Sequence, residues 1–231
     1  MSNITVIFPT YNERENIEKL ILGVKEIVNP YEIIVVDDNS PDETWRVVQE
    51  LAAQYSNIKL IMRVNKRGLA SAISDGIVSS KGDIVVWMDC DFSMPLEAVP
   101  KLINALSEND IAIGSRYVEG GRDEREFSRV ITSKFFNTFA SLLLGRSLTD
   151  YTTGFVAAKR DVFDNLDIYG VYGEYCVIFL YNAKKQGFKI AEVPYACIPR
   201  NQGETKTAES ILALLRHGRN YGMTVLKLWF K

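Results

Sequence analysis

The chain has 231 residues, 47% of them hydrophobic, and a formal net charge of −2. That length allows one large domain or two small ones with a sizeable core. The near-neutral charge argues against bulk nucleic-acid binding, the single histidine, His217, against histidine-centred chemistry, and the scattered Cys90, Cys176 and Cys197 against a cysteine metal site.

Residues 4–8 read as a buried strand, followed by a loop at Pro9, Thr10 and Tyr11. Asn12 and Glu15 have capping-box spacing. The helix they would open carries Ile17, Leu20, Ile21, Val24 and Val28 at helical spacing. A second strand at 33–36 ends in Asp37 and Asp38, and Val47, Val48, Leu51, Ala52 and Tyr55 mark a second helix. A third strand covers 58–62, and a third helix covers 69–79 after Gly68. The fourth strand, 84–88, runs into Asp89-Cys90-Asp91. Pro95 opens a helix to Leu106, and 111–114 is a further strand.

This alternation of apolar strands and helices predicts an α/β fold with a parallel sheet covered on both faces. Ligands bind at the carboxyl ends of such strands, where the polar loops at 10–13, 37–38, 89–91 and 115–117 fall. A glycine-rich dinucleotide turn and a P-loop are both absent. The second half changes character. A charged loop at 122–126 precedes a helix at 130–144 rich in Phe and Leu. A turn at 151–154, a short strand at 155–158, a helix at 175–185, an edge strand at 190–195 and a helix at 209–231 follow. The last helix is expected to gather Ile211, Leu214, Leu215, Tyr221, Val225, Leu226 and Trp229 on one side. The first residues hold no basic stretch followed by an apolar one, so no secretory signal is expected, and no window approaches the roughly 18 uncharged apolar residues of a membrane span.

Asp89 and Asp91 carry the sharpest chemical signal. Strand alternation would put both carboxylates on one face, with Cys90 turned to the core. Two converging carboxylates call for a cation between them, and hard oxygen ligands suit Mg²⁺ or Mn²⁺ beside substrate phosphates. Taken alone, the pair also fits a solvated acidic turn.

Seven strings in chain order resemble the inverting nucleotide-sugar glycosyltransferases of the GT-A fold, family 2. Within that family they are most similar to polyprenyl-phosphate hexose synthases of the dolichol-phosphate mannose synthase type. The strings are Pro9-Thr10-Tyr11-Asn12-Glu13, Val35-Val36-Asp37-Asp38-Asn39-Ser40-Pro41-Asp42, Arg63-x-x-Lys66-x-Gly68-Leu69 and Met88-Asp89-Cys90-Asp91 in the first half. Ile113-Gly114-Ser115-Arg116-Tyr117, Asp150-x-x-x-Gly154-Phe155 and Arg200-x-x-Gly203-Glu204-Thr205-Lys206 complete the set. The resemblance covers nearly the whole chain. It implies a single GT-A catalytic domain over 1–231, with a nucleotide-binding half at 1–118, an acceptor half at 119–208 and a C-terminal amphipathic helix at 209–231.

The resemblance also implies roles. Pro9, Tyr11 and Glu13 would line the nucleotide pocket, and Asp38 would accept hydrogen bonds from the base, although Asp37 and Asp38 equally suit a turn. Lys66 would offset diphosphate charge or sit solvated in its loop. Asp89 and Asp91 would hold the divalent ion on the sugar diphosphate. Arg116, Arg129, Ser133, Arg200 and Lys206 would take the acceptor phosphate, for which arginine's fork is suited; surface salt bridging is the alternative. Such cations are expected to stand clear of the metal carboxylates. The acceptor would be a polyprenyl or dolichyl phosphate, already ionised and so needing no strong base. The donor would be GDP-mannose, or UDP-glucose as second choice, and the enzyme would sit peripherally on the cytoplasmic face of a membrane. The helix at 130–144 and the last helix would meet membrane, a membrane-protein partner or core. A saccharide acceptor and a non-catalytic nucleotide-sugar-binding subunit are the alternatives. Three departures from the family pattern stand out. Phe92-Ser93-Met94-Pro95 follows Asp91, Val156 replaces an arginine, and Ile178 replaces a glutamate with Glu174 nearby out of register.

Overall fold

A computed structural model describes residues 2–170, 173–200 and 211–230, with backbone alone over 211–217. Lys206 and its string after Arg200 therefore lie outside the described residues, as do the side chains of Ile211, Leu214, Leu215 and His217.

The first half follows the strand–helix alternation. Its elements are β1 (Ile4–Thr10), α1 (Arg14–Val28), β2 (Glu32–Asp37), α2 (Thr44–Gln54), β3 (Ile58–Met62), α3 (Leu69–Ser79) and β4 (Ile84–Trp87). A 3-10 turn at Leu96–Ala98 leads into α4 (Val99–Ala105), then β5 (Ile111–Ser115). The second half contributes β6 (Arg122–Asp123), α5 (Phe127–Leu144), β7 (Val156–Lys159), α6 (Glu174–Lys185), β8 (Ile190–Pro194), β9 (Ala196–Cys197) and α7 (Ile211–Trp229).

Seven strands form one sheet in the order β3-β2-β1-β4-β7-β5-β8. All its pairings are parallel except those of β7, which runs antiparallel between β4 and β5. β8 is an edge strand, as Pro194 predicts, since proline cannot donate to a ladder. β6 and β9 form a separate two-stranded ribbon. The strand order reverses direction between β1 and β4, and such a switch point opens a crevice at the carboxyl ends of the strands.

Strand side chains alternate between two cores. Ile7, Ile34, Val36, Val85, Trp87, Ile111 and Ile113 face α3, α5, α6 and α7. Val6, Phe8, Ile33, Val35, Val86 and Ala112 face α1, α2 and α4. Every residue of β2, β4 and β5 is buried, including the polar Glu32, Asp37 and Ser115 at the strand ends.

Two local expectations are corrected. Asn12 does not cap α1, because it adopts a left-handed φ of 56°. Glu13 is the N-cap residue, and its side chain makes no capping bond. Met88 lies beyond β4, so Asp89-Cys90-Asp91 forms a bend, where strand alternation does not apply.

α7 packs against α5 and α6. Its buried side chains are Val225 and Leu228, and Tyr221 reaches across to Phe136 of α5 with ring centroids 6.0 Å apart. A Cβ on Gly173 would stand 2.0 Å from the Tyr221 hydroxyl, so α7 can seat over the start of α6 only because that position is glycine. The expected apolar face is thus divided: Leu226 and Trp229 are exposed, a quarter turn or more away from the buried row.

Candidate active site

The loops after β1 and β4 meet at the switch point. The Cys90 thiol turns inward, as expected, and approaches the Pro9 carbonyl at 3.6 Å. Its residue is buried, so the loop is pinned by its middle. The bend is finished by Phe92 in left-handed conformation, φ 60°. The backbone N–H of Ser93 donates to Asp91 Oδ1 at 3.0 Å, and that of Asp89 approaches Met94 Sδ at 3.4 Å. Asp89 lies over Gly154 of the turn before β7: a Cβ there would stand 3.6 Å from Asp89 Oδ1 and from the Tyr175 hydroxyl.

Arg200, beyond β9, reaches this loop. Its Nε and Nη2 both lie 3.1 Å from Asp91 Oδ2, and Nη2 lies 3.6 Å from Glu13 Oε1. The expectation that phosphate-binding cations stand clear of the metal carboxylates is therefore overturned for Arg200. The physical reason is the clustering itself: Asp91 and Glu13 enter from two loops and draw the nearest cation. Glu13 also accepts from Asn16 Nδ2 at 3.0 Å.

Asp38 and Lys66 are engaged internally. Asp38 Oδ1 accepts from Arg63 Nε at 2.6 Å, and its Oδ2 accepts from the Gly68 N–H at 2.9 Å. Arg63 spends its remaining arms on Ser71, Asp75 and the Gly68 carbonyl. Gly68 has φ 137°, a conformation that side chains disfavour, so the loop can turn beneath Asp38 only with glycine there. Lys66 pairs with Asp75 at 2.8 Å. Burial would raise the Asp75 pKa, but Lys66 and Arg63 outweigh it and hold the carboxyl below its usual range. Asp37 is turn chemistry: it is fully buried and accepts from Thr10 and from both the N–H and hydroxyl of Ser40. Tyr11 carries the Arg67 guanidinium over its ring at 4.4 Å, a cation–π contact that no spacing rule predicts.

Arg116 is a clamp. Its Nε and Nη2 each donate to Asp150 at 2.7 Å in a bidentate fork, and Nη2 also donates to Thr152 at 2.8 Å. The Arg116 backbone N–H adds a third bond to Asp150. Both side chains are almost wholly buried. Burial alone would lower the guanidinium's pKa, but Asp150 reverses that and raises it. Only Nη1 is left over, 3.8 Å from Asp123. Arg116 is thus a structural ion pair, with Nη1 outside the fork.

The clamp extends into α5. The Tyr117 hydroxyl lies 3.0 Å from Asp123 Oδ2 and 2.8 Å from Ser133 Oγ. Burial and the nearby carboxylates push its pKa up to about 12. Asn137 donates to Thr152 at 2.8 Å, and the Tyr151 N–H donates to Asn137 at 2.7 Å. Ser133 thus sits in the Arg116 network through Tyr117. Arg129, one turn earlier, is half-buried and forms no ion pair with the described residues. The buried Cys176 thiol is raised by burial first and senses Asp89, Asp150 and Arg116 electrostatically, so the two clusters are neighbours beneath the start of α6.

Sequence reasoning missed the partners. Arg63 and Asp150 stood in quoted strings without a role, and Arg67, Tyr117 and Asp123 had none. The buried Glu174 and Tyr175 at the start of α6 also went unassigned.

The helices flanking the site expose apolar residues. Phe127, Ile131, Phe135 and Leu142 repeat on one face of α5, with Phe127 79% and Phe135 65% exposed. Met223, Leu226, Trp229 and Phe230 are exposed at the end of α7. No helix among the described residues is long and apolar enough to cross a membrane.

The sheet order and layers are those of solved nucleotide-sugar transferases. The structure of glucosyl-3-phosphoglycerate synthase from Mycobacterium tuberculosis, in complex with Mn²⁺, UDP and phosphoglyceric acid, superposes with a TM-score of 0.75. That match covers 99% of this chain and 78% of the other at 20% identity, which establishes the GT-A fold. In sequence, the chain is 39% identical over 221 residues to dolichol-phosphate mannosyltransferase of Pyrococcus furiosus, covering 93% of this chain and 62% of that relative's length. It is 36% identical over 214 residues to polyprenol monophosphomannose synthase of Mycolicibacterium smegmatis, covering 89% of this chain and 81% of the relative. Residues 5–167 match Glycosyl transferase family 2, and with the relatives over most of its length the chain belongs to that family.

Proposed function

We propose that this chain transfers a hexose, with inversion, from a nucleotide sugar to a polyprenyl or dolichyl phosphate. One observation carries the reading: Arg200 bridges Asp91 and Glu13 at the crevice between β1 and β4. A cation suited to an acceptor phosphate therefore sits against the carboxylates suited to the donor's metal. The names of the two relatives support a lipid-phosphate acceptor.

Asp89 and Asp91 fit a divalent ion as a donor set. Both offer hard carboxylate oxygens from one loop, and Asp91 has already collected a cationic partner. Mg²⁺ or Mn²⁺ held there would withdraw charge from the leaving nucleoside diphosphate. The residues of the chain do the rest. Pro9 near the end of β1, with Tyr11 and Glu13 just after it, lines the donor crevice. Asp38, held rigid by Arg63 and Gly68, presents its remaining lone pairs towards the base. Lys66 and Arg67 stand on the same loop for the diphosphate.

Arg200 turns from Asp91 to the acceptor phosphate, helped by Arg116 Nη1, Arg129, Ser133 and Lys206. An acceptor oxygen bonds to the anomeric carbon while the bond from that carbon to the donor's β-phosphate oxygen breaks. The acceptor oxygen is ionised at neutral pH, so no side chain has to remove a proton. The donor in this reading is GDP-mannose, with UDP-glucose second. The exposed apolar rows of α5 and α7 lie in a membrane surface on its cytoplasmic face, where the lipid acceptor is met.

The test is transfer of label from GDP-mannose and from UDP-glucose to a short polyprenyl phosphate, with Mg²⁺ or Mn²⁺ and with EDTA. The expected result is metal-dependent label in the organic phase from one donor, in a product of inverted anomeric configuration. Donor binding without any lipid product, or a retained configuration, would sink the reading.

A further inference from the structure

A cavity of about 860 Å³ opens beside α5, between that helix and the loop from Tyr117 to Glu124. It is not the crevice at β1 and β4, because none of Asp89, Asp91, Glu13 or Arg200 lines it. Its own cations are Arg122, Lys134 and Arg146, with Glu124 and Asp123 as the acids, and it shares only Arg116 with the proposed acceptor set. Asp150 spends most of Arg116, and Arg125 spends Asp123. Arg122, Lys134 and Arg146 form no ion pair with the described residues. Three cations against Glu124 thus make a locally basic cleft on a chain whose net charge is −2. Two of these cations flank an apolar edge. Lys134 neighbours Phe135 and follows Ile131 by three residues on α5, and Arg146 lies just past the end of that helix, lining the same cavity as Leu142. Leu142 itself lines the cavity and belongs to the exposed row of α5.

A cleft that is cationic within and apolar along one rim suits an anionic amphiphile, whose head enters while its tails stay with the apolar row. A soluble anion would gain nothing from that rim. We propose that this cleft binds the phosphate headgroup of an anionic bilayer phospholipid, distinct from the acceptor, and so fixes how α5 lies on the membrane. The inference rests on the membrane-surface reading above. Each basic side chain near an anionic surface is worth about 1 kcal/mol, roughly a fivefold change in affinity.

The experiment is vesicle sedimentation of the full chain with phosphatidylcholine alone and with added phosphatidylglycerol, no polyprenyl phosphate being present. The wild type is compared with Lys134→Glu/Arg146→Glu and with the milder Lys134→Gln/Arg146→Gln. Both residues are exposed, and neither belongs to the transfer machinery, so transfer to a water-soluble acceptor should be unchanged and reports on folding. The expected result is preference of the wild type for the anionic vesicles. The glutamine variant should lose that preference by on the order of 25-fold, and the charge-reversed variant by more. Equal wild-type binding to both vesicles would overturn the headgroup inference and leave the membrane reading standing. Binding to neither would remove both. Tight binding of inorganic phosphate without vesicles, abolished by the same variants, would reassign the cleft to a soluble anion and overturn the lipid source.

Discussion

Two arginines, Arg116 and Arg200, are held in opposite ways. Arg116 is 5% exposed, grips Asp150 through a two-pronged fork and adds Thr152, so its geometry is over-determined. Arg200 is 22% exposed, and among the described residues it meets one oxygen of Asp91, with Glu13 farther off. A buried fork is costly to break, because its partner is left charged and dry. A half-exposed contact at a crevice can be exchanged for a ligand's charge at little cost. The pairing of Asp38 with Arg63 belongs with the first kind. Rigid clamps thus frame a more exposed cation, which in the proposed function is where substrate phosphates would enter.

The largest effect should come from breaking the clamp. Asp150→Ala strands the Arg116 guanidinium and should cost about 3–5 kcal/mol of unfolding free energy, measured by denaturant titration; a loss under 1 kcal/mol would show that the pair does not hold the fold. Asp89→Asn and Asp91→Asn should do the reverse, leaving stability nearly unchanged and slowing transfer about 10³-fold, equivalent to several kcal/mol of barrier. Full activity in either variant would remove those residues from the site. A smaller effect concerns pH. Burial would raise the Asp123 pKa, but Arg125 and Arg116 outweigh it, so the folded value lies below the unfolded one. Its stabilisation is therefore complete above the usual carboxylate range and fades as pH falls through the folded value. Asp123→Asn should flatten this acid limb of the stability curve, and an unchanged limb would contradict the assignment. Smallest is Arg67→Ala, which removes the cation over Tyr11. It should change stability by about 0.5–1 kcal/mol at most and show mainly as weaker donor binding in calorimetry.

The elements most legible in the sequence were those that local pattern determines. β3 and α3 fall on their expected bounds because apolar periodicity and Gly68 fix them. The strand-end loops were legible because polar residues interrupt buried runs at each carboxyl end. Asn12 misled because a cap needs a backbone conformation that spacing does not reveal. Asp89 and Asp91 lie in a bend pinned by Cys90, where strand alternation does not apply. The partners of Arg116 and Arg63 lie 34 and 25 residues away, so no local signal could pair them. Arg200 was assigned to phosphate without its contact to Asp91, which only the sheet order brings about. α7 read as a single apolar face because composition does not say which of its residues meet α5 and α6.

The contrast between the two arginines is tested most directly by Arg200→Ala, with unfolding free energy and transfer rate measured on the same preparation. The account predicts stability within about 1 kcal/mol of the wild type, transfer slowed at least tenfold, and a raised KM for the lipid phosphate. A loss of about 3 kcal/mol or more in stability would make Arg200 another clamp, and an unchanged transfer rate would take it out of the site.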